Sequence, residues 1–333
     1  MLRVALDLDG SLEPFRETMV DLAAALAEAG SCELVRFRSW SPPVGVDVRL
    51  PARWWWRRWW RAGRGWPLDR RLRADVVHVA GRTVPPTGAT PLVVSVEDLR
   101  PLRGERSSSP RVDLLRRAVA RGATVVTSTI VARAEVARIL GVELDRVAVV
   151  PPPVPVPATV ATGAAPSTLL VNVAGGLDRY LDVAEGLQAV ARARGLGVVV
   201  LTSAAGAQRL QVAGAPVVTR HRRDAAVALP SARVLVHLAD GARFPSLPLA
   251  ALAGGIPVVT FAAPVTRELL AGAATLVESS EELVAASAAA LDDSAVRAIA
   301  RAAGPVRAAD FHPARAAAAY AELYARVVRD WAT

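Results

Sequence analysis

The chain has 333 residues, 52% of them hydrophobic and 21% charged, which is enough to build two domains of ordinary size and too apolar for a disordered chain. Its 40 basic residues are all arginine, the formal net charge is +9, and Cys32 is the one cysteine, so an intrachain disulfide is excluded and a reducing compartment fits. Residues 147–177 and 244–266 carry no charge, but six prolines in the first stretch and four in the second exclude membrane-spanning helices.

The chain opens with an apolar strand over 2–8, LRVALDL, whose acidic surroundings do not read as a secretory signal. Asp7 ends that strand and Gly10 permits a tight loop after it. The run LDLDGSL (6–12) also resembles the opening of haloacid-dehalogenase-like phosphatases. Such sites want a lysine or arginine and a later acidic pair around a magnesium ion. There is no lysine, and Asp292 and Asp293 fall in a helical stretch of the other half. Residues 14–30 form a helix, with Phe15, Met19, Leu22 and Leu26 on one face and Gly30 as its stop. A short strand, ELVRF, follows.

Residues 49–73 hold nine arginines against one aspartate, so nearly the whole excess of charge sits in one segment, together with six of the eight tryptophans. The near-neutral remainder argues against a nucleic-acid-binding protein. On a helical projection Trp55, Trp56, Trp59 and Trp60 share an arc of about 140°, with Arg57, Arg58 and Arg61 among the arginines opposite. Three readings stand for 53–64. One is a helix on an anionic membrane surface, rings at headgroup level and guanidinium groups on phosphate. Another is a helix that packs its tryptophan face on its own domain. The third is stacking of tryptophan and arginine on single-stranded nucleic acid, which no other feature of the chain supports.

Beyond it come DVVHV (75–79), PLVVSV (91–96), two amphipathic helices around the strand ATVVTS, and RVAVV (146–150). Short apolar strands alternating with helices predict a parallel sheet covered on both faces. The Pro- and Ala-rich run 151–167 is a linker. After it the alternation restarts with TLLVNV, a helix over 178–194, GVVVLT, APVVT, RVLVHL (233–238), a helix near 246–254 and PVVTF, then helices to the end. The expected architecture is α/β, two doubly wound Rossmann-like domains facing a cleft. The first covers 1–157, with the C-terminal helix 313–333 able to pack back on it, and the second covers 158–312. His78, His221, His237 and His312 are scattered and show no zinc spacing, so neither metal nor cofactor is expected.

The stretch RVLVHLADGARFPSLPLAALAGGIPVVTFAAPVTRELLAGAATLVESSEELVAASAAALDD, with AADFHPARAAAAYAELYARVV after it, resembles the donor half of glycosyltransferase family 4, the retaining GT-B enzymes. ADVVHVAGRTVPP, PLVVSVEDLRPLR and GATVVTSTIVARAEVARILGVELDRVAVVPPPV are similar to its acceptor half. The functional positions depart from the pattern. The paired glutamates fall on Ala242 and Ala250. The Gly-Arg-Leu-x-x-x-Lys that holds the donor diphosphate falls on GGLDRYL (175–181), with Gly176 for arginine and Leu181 for lysine. The family's Pro-Ser falls on Leu238 and Ala239, and the histidine of its acceptor loop on Glu97.

What the resemblance implies is transfer of a sugar from a nucleotide-sugar to a cell-envelope or lipid-linked glycan, in a bacterial cytoplasm or on the inner face of the plasma membrane. The donor diphosphate would lie near Gly175, Gly176, Arg179, Arg243, Ser246 and Leu247. Glu97, Asp98 and Asp240 are candidates to receive the acceptor proton, and Gly10 and His237 are placed on the acceptor side. The alternative is a catalytically degenerate protein of the same fold that binds or scaffolds.

Overall fold

The computed structural model describes the chain apart from residues 9–14, 39–44, 49, 51–58, 61–66, 81–83, 97–101, 103–109, 156–165, 174–175, 215–217, 222–223, 239–242 and 333. It divides into two compact units, Met1–Pro153 with His312–Thr333, and Val154–Phe311.

The first unit is built on six strands: β1 (Arg3–Asp7), β2 (Glu33–Phe37), β3 (Val76–Ala80), β4 (Leu92–Ser95), β5 (Thr124–Thr127) and β6 (Val147–Val149). All pair in parallel, in the order β2-β1-β3-β4-β5-β6. Because side chains alternate along a strand, each strand feeds two cores. Ala5, Val77 and Val94 face a layer with Leu114, Leu115 and Val136. Val4, Leu6, Val76 and Val93 face the other, closed by Met19, Leu22 and Leu26 of the Phe15–Ala29 helix and by Tyr320, Leu323 and Tyr324 of the C-terminal Pro313–Ala332 helix.

That last helix is docked by a buried polar cluster. His78 Nδ1 lies 2.8 Å from the Tyr324 hydroxyl and its Nε2 2.8 Å from Ser95 Oγ. Tyr320 stacks on the imidazole at 5.6 Å. Complete burial lowers the His78 pKa to about 3, so the ring is neutral and both its nitrogens are used. Trp60 lies in the same unit's other core, 4% exposed, while Trp59 is 49% exposed. The tryptophan face expected from the helical projection is therefore divided. Trp60 fills the core and is withdrawn from any membrane surface.

The second unit has β7 (Thr168–Asn172), β8 (Gly197–Thr202), β9 (Val218–His221), β10 (Ala232–His237), β11 (Val258–Phe261) and β12 (Thr275–Val277). They too are all parallel, in the order β12-β11-β10-β7-β8-β9. This is the doubly wound arrangement that the strand–helix alternation predicts, with β12 as the one strand not anticipated. One face carries Leu169, Val171, Val234 and Val236 against Tyr180, Val183 and Leu187 of the Leu177–Arg192 helix. Elsewhere in the unit the Ser246–Ala253 helix packs closely on the Ser294–Ala309 helix. A β-carbon on Gly304 would lie 2.7 Å from the Leu252 carbonyl oxygen.

Candidate functional site

In the second unit the chain leaves β7 toward β8 and β9 on one side, and β10 starts the series that runs to β12 on the other. Open parallel sheets hold ligands at such a reversal, outside the carboxyl ends of the strands. The candidate site is therefore built from the ends of β7, β10 and β11.

After β7 the chain turns through Gly176 into the Leu177–Arg192 helix. This turn presses on the end of β10. A β-carbon at 176 would lie 2.1 Å from the Leu238 carbonyl oxygen. No side chain fits there, so a cation at the position of the resembled family's arginine is excluded sterically as well as by identity.

Arg179 is the third residue of that helix. Its guanidinium carbon lies 5.0 Å from the centroid of the Phe261 ring at the end of β11. Among the described residues no carboxylate pairs with Arg179. The adjacent Asp178 instead holds Arg209 at 2.7 Å. Phe261 is fixed in turn. Its carbonyl oxygen accepts a 2.8 Å hydrogen bond from Thr266 Oγ1, which is buried and also accepts from the Ala263 amide at 2.8 Å.

A row of three polar side chains crosses the sheet at the same level, because Asn172, His237 and Thr260 are register partners. Asn172 Nδ2 lies 3.0 Å from His237 Nδ1. With the amide donating, the ring proton sits on Nε2. Thr260 Oγ1 donates to the His237 carbonyl oxygen at 2.8 Å. Burial lowers the His237 pKa to about 4, so the ring is a neutral donor near neutral pH. The sequence sets His237 with the acceptor side. In the structure β10 lies in the unit that also carries Gly176 and Arg179, as the sequence bounds 158–312 have it.

The Ser246–Ala253 helix starts beside β10, and its N-terminus offers less to an anion than the sequence suggests. The Ser246 amide donates to the Phe244 carbonyl at 3.0 Å, Pro248 has no amide hydrogen, and Leu249 donates to Pro245 at 3.1 Å. Leu247 is left as the one first-turn amide without a backbone acceptor among the described residues. Ser246 is exposed, and Arg243 and Leu247 are half-buried. Phe244 packs edge-on against Phe311 at 5.6 Å.

The structure thus brings Gly176, Arg179, His237, Arg243, Ser246 and Leu247 into one unit. Gly10, Glu97, Asp98, Gly175 and Asp240 lie outside the described residues, as do Trp55, Trp56, Arg57, Arg58 and Arg61 of the Trp/Arg segment. Sequence reasoning missed Asn172, Phe261 and Thr266. The available signal was position, since Asn172 and Phe261 are the terminal residues of their strands. Among the described residues no group of three histidine, cysteine or acidic side chains could hold a metal ion, and no helix is long and apolar enough to cross a membrane.

No protein-family model matches the chain, and no curated protein matches it in sequence. Solved structures do match along the whole length. The sucrose-phosphate synthase of Thermosynechococcus elongatus aligns with TM-score 0.69 at 15% identity, over 99% of this chain and all of that one. HepE of Anabaena, solved in complex with UDP-glucose, aligns with TM-score 0.66 at 14% identity, over 98% of this chain and all of that one. WaaG, a glycosyltransferase involved in lipopolysaccharide biosynthesis, aligns with TM-score 0.63 at 17% identity, over 97% and 99% of the two chains. Together with the two six-stranded parallel sheets, these likenesses establish that the chain has the GT-B fold.

Proposed function

We propose that this chain is a glycosyltransferase whose second unit takes a nucleotide-activated sugar and whose first unit receives a glycan or lipid-linked acceptor of the cell envelope. The observation that carries the reading is Arg179. It is an exposed guanidinium at the carboxyl end of the sheet, held on an aromatic ring and without a carboxylate partner among the described residues. In a transfer the bond from the anomeric carbon to the β-phosphate oxygen breaks, and the leaving diphosphate gains negative charge that a cation stabilises. The anomeric carbon forms its new bond to an acceptor hydroxyl, whose proton goes to a carboxylate. Glu97, Asp98 and Asp240 are the candidates for that role. The family's glutamate positions hold Ala242 and Ala250. Membrane docking through 53–64 would bring a lipid-linked acceptor to the first unit, with Trp55, Trp56 and Trp59 as the rings that remain for it.

A second reading, binding without transfer, is favoured by two observations. Gly176 leaves no room for the usual cation, and among the described residues the helix at Ser246 leaves one first-turn amide without a backbone acceptor. The two readings separate in one assay. HepE is solved with UDP-glucose in this fold, so uridine nucleotides are tested first. Saturable binding of UDP-sugars together with release of UDP on adding envelope glycolipids supports transfer. Binding with no UDP release under any acceptor supports the degenerate protein and contradicts the proposal.

A further inference from the structure

We infer that Phe261 is a positioning residue for the donor diphosphate, acting through Arg179; the inference rests on the nucleotide-sugar reading above. Three features lead to it. First, Arg179 stands in the first turn of a helix, where the macrodipole disfavours a cation. A residue that runs against the local electrostatic preference is a mark of function rather than of folding. Second, the period of the strand puts Phe261 where it is used. Thr260 points to the face of Asn172 and His237, and the next residue turns to the face covered by the Leu177–Arg192 helix, whose first turn carries Arg179. Thr266 then fixes the carbonyl of Phe261 and the amide of Ala263, so the ring has a rigid base.

Third, the chemistry of the contact differs from that of an ion pair. A carboxylate would occupy the in-plane N–H groups of the guanidinium, which are the groups a diphosphate needs. A ring under the guanidinium restrains it through its face and leaves all five N–H donors at the edge unused. Phe261 therefore restrains the cation without neutralising it. The restraint lowers the side-chain entropy that binding would otherwise cost.

The test is a double-mutant cycle on the full chain, read by calorimetric titration with inorganic pyrophosphate and with UDP. Phe261→Leu keeps apolar bulk and removes the ring face. It is expected to weaken both ligands about two- to fivefold, the range of a cation–ring contact at a partly exposed site. Phe261→Tyr keeps the face and restores wild-type affinity. In an Arg179→Ala background Phe261→Leu has no further effect. A Phe261→Leu protein that binds as tightly as wild type, or that loses the same factor with and without Arg179, overturns the inference. A wild-type chain that binds neither ligand removes the donor reading and the inference together. A flat cycle on a wild type that does bind removes the inference alone.

Discussion

A single β-carbon decides much at position 176. It would stand 2.1 Å from the Leu238 carbonyl oxygen, and that oxygen is backbone, so it cannot swing aside. The backbone of Gly176 has φ −96°, which any residue adopts, so the constraint is purely steric. Gly176→Ala is expected to lower stability by about 1–3 kcal/mol, the usual cost of overpacking. Urea unfolding checks this, and an unchanged midpoint would contradict the close approach. The two buried histidines give a second expectation at this scale. Both have folded pKa values lowered by burial, to about 3 for His78 and about 4 for His237, so between about pH 6.5 and pH 4 only the unfolded chain takes up their protons. Stability is therefore full above pH 6.5 and falls as pH drops, by about 1.4 kcal/mol per pH unit for each ring. Unfolding measured at pH 7.5, 6 and 5 tests the sign. His237→Gln should flatten the slope for the second unit, and a slope that stays the same would contradict the burial argument. These residues were half legible in the sequence. His78 and His237 could be placed on strands from the apolar runs around them. Their partners Tyr324, 246 residues away from His78, and Asn172, 65 residues away from His237, could not, because strand order is not written in local periodicity.

Helices and strands were mostly legible because their apolar patterns are long enough to show a period. The Phe15–Ala29 helix buries Met19, Leu22 and Leu26, the spacing read directly from the chain. β12 escaped because Thr275–Val277 is too short to show alternation. The Trp/Arg segment shows what a helical projection omits. Periodicity groups rings by angle, but it does not say what layer lies over them. Trp60 is core, and Trp60→Ala is expected to cost about 3–5 kcal/mol, whereas Trp59→Ala should cost little. Thermal melts of the two variants check the contrast, and equal melting would contradict it. The C-terminal helix makes a parallel case. Its Tyr320 is 2% exposed, donates to the Val150 carbonyl at 3.3 Å and stacks on His78. Tyr320→Ala should cost about 3–5 kcal/mol and expose the face against the Phe15–Ala29 helix, measurable as dye binding to apolar surface. A variant as stable as wild type would mean that the helix is not part of the first unit's core.

On the scale of the whole molecule, the chain makes two parallel sheets, each with its own core, and the fold is the part that the sequence pattern carried furthest. Strand–helix alternation interrupted by 151–167 implies two doubly wound units, and this is what the strand orders display. The site was legible only where chemistry and loop position coincide, as at Arg179 after the first strand of the second unit. Phe261, whose ring lies under that guanidinium, and Thr266, which bonds the Phe261 carbonyl, belong to a strand end and a helix far along the chain, where no local pattern joins them to Arg179. The central proposal is that Arg179 serves a donor site in place of the cations that the resembled family's pattern has and this chain lacks. Calorimetric titration of the wild-type chain and of Arg179→Ala with UDP and UDP-sugars tests it most directly. The account predicts saturable binding by the wild type and a loss of about tenfold or more in the variant, the worth of a charge-assisted hydrogen-bond pair. No heat from the wild type up to about millimolar ligand, where binding is worth only about −4 kcal/mol, or equal affinity with and without Arg179, would contradict it.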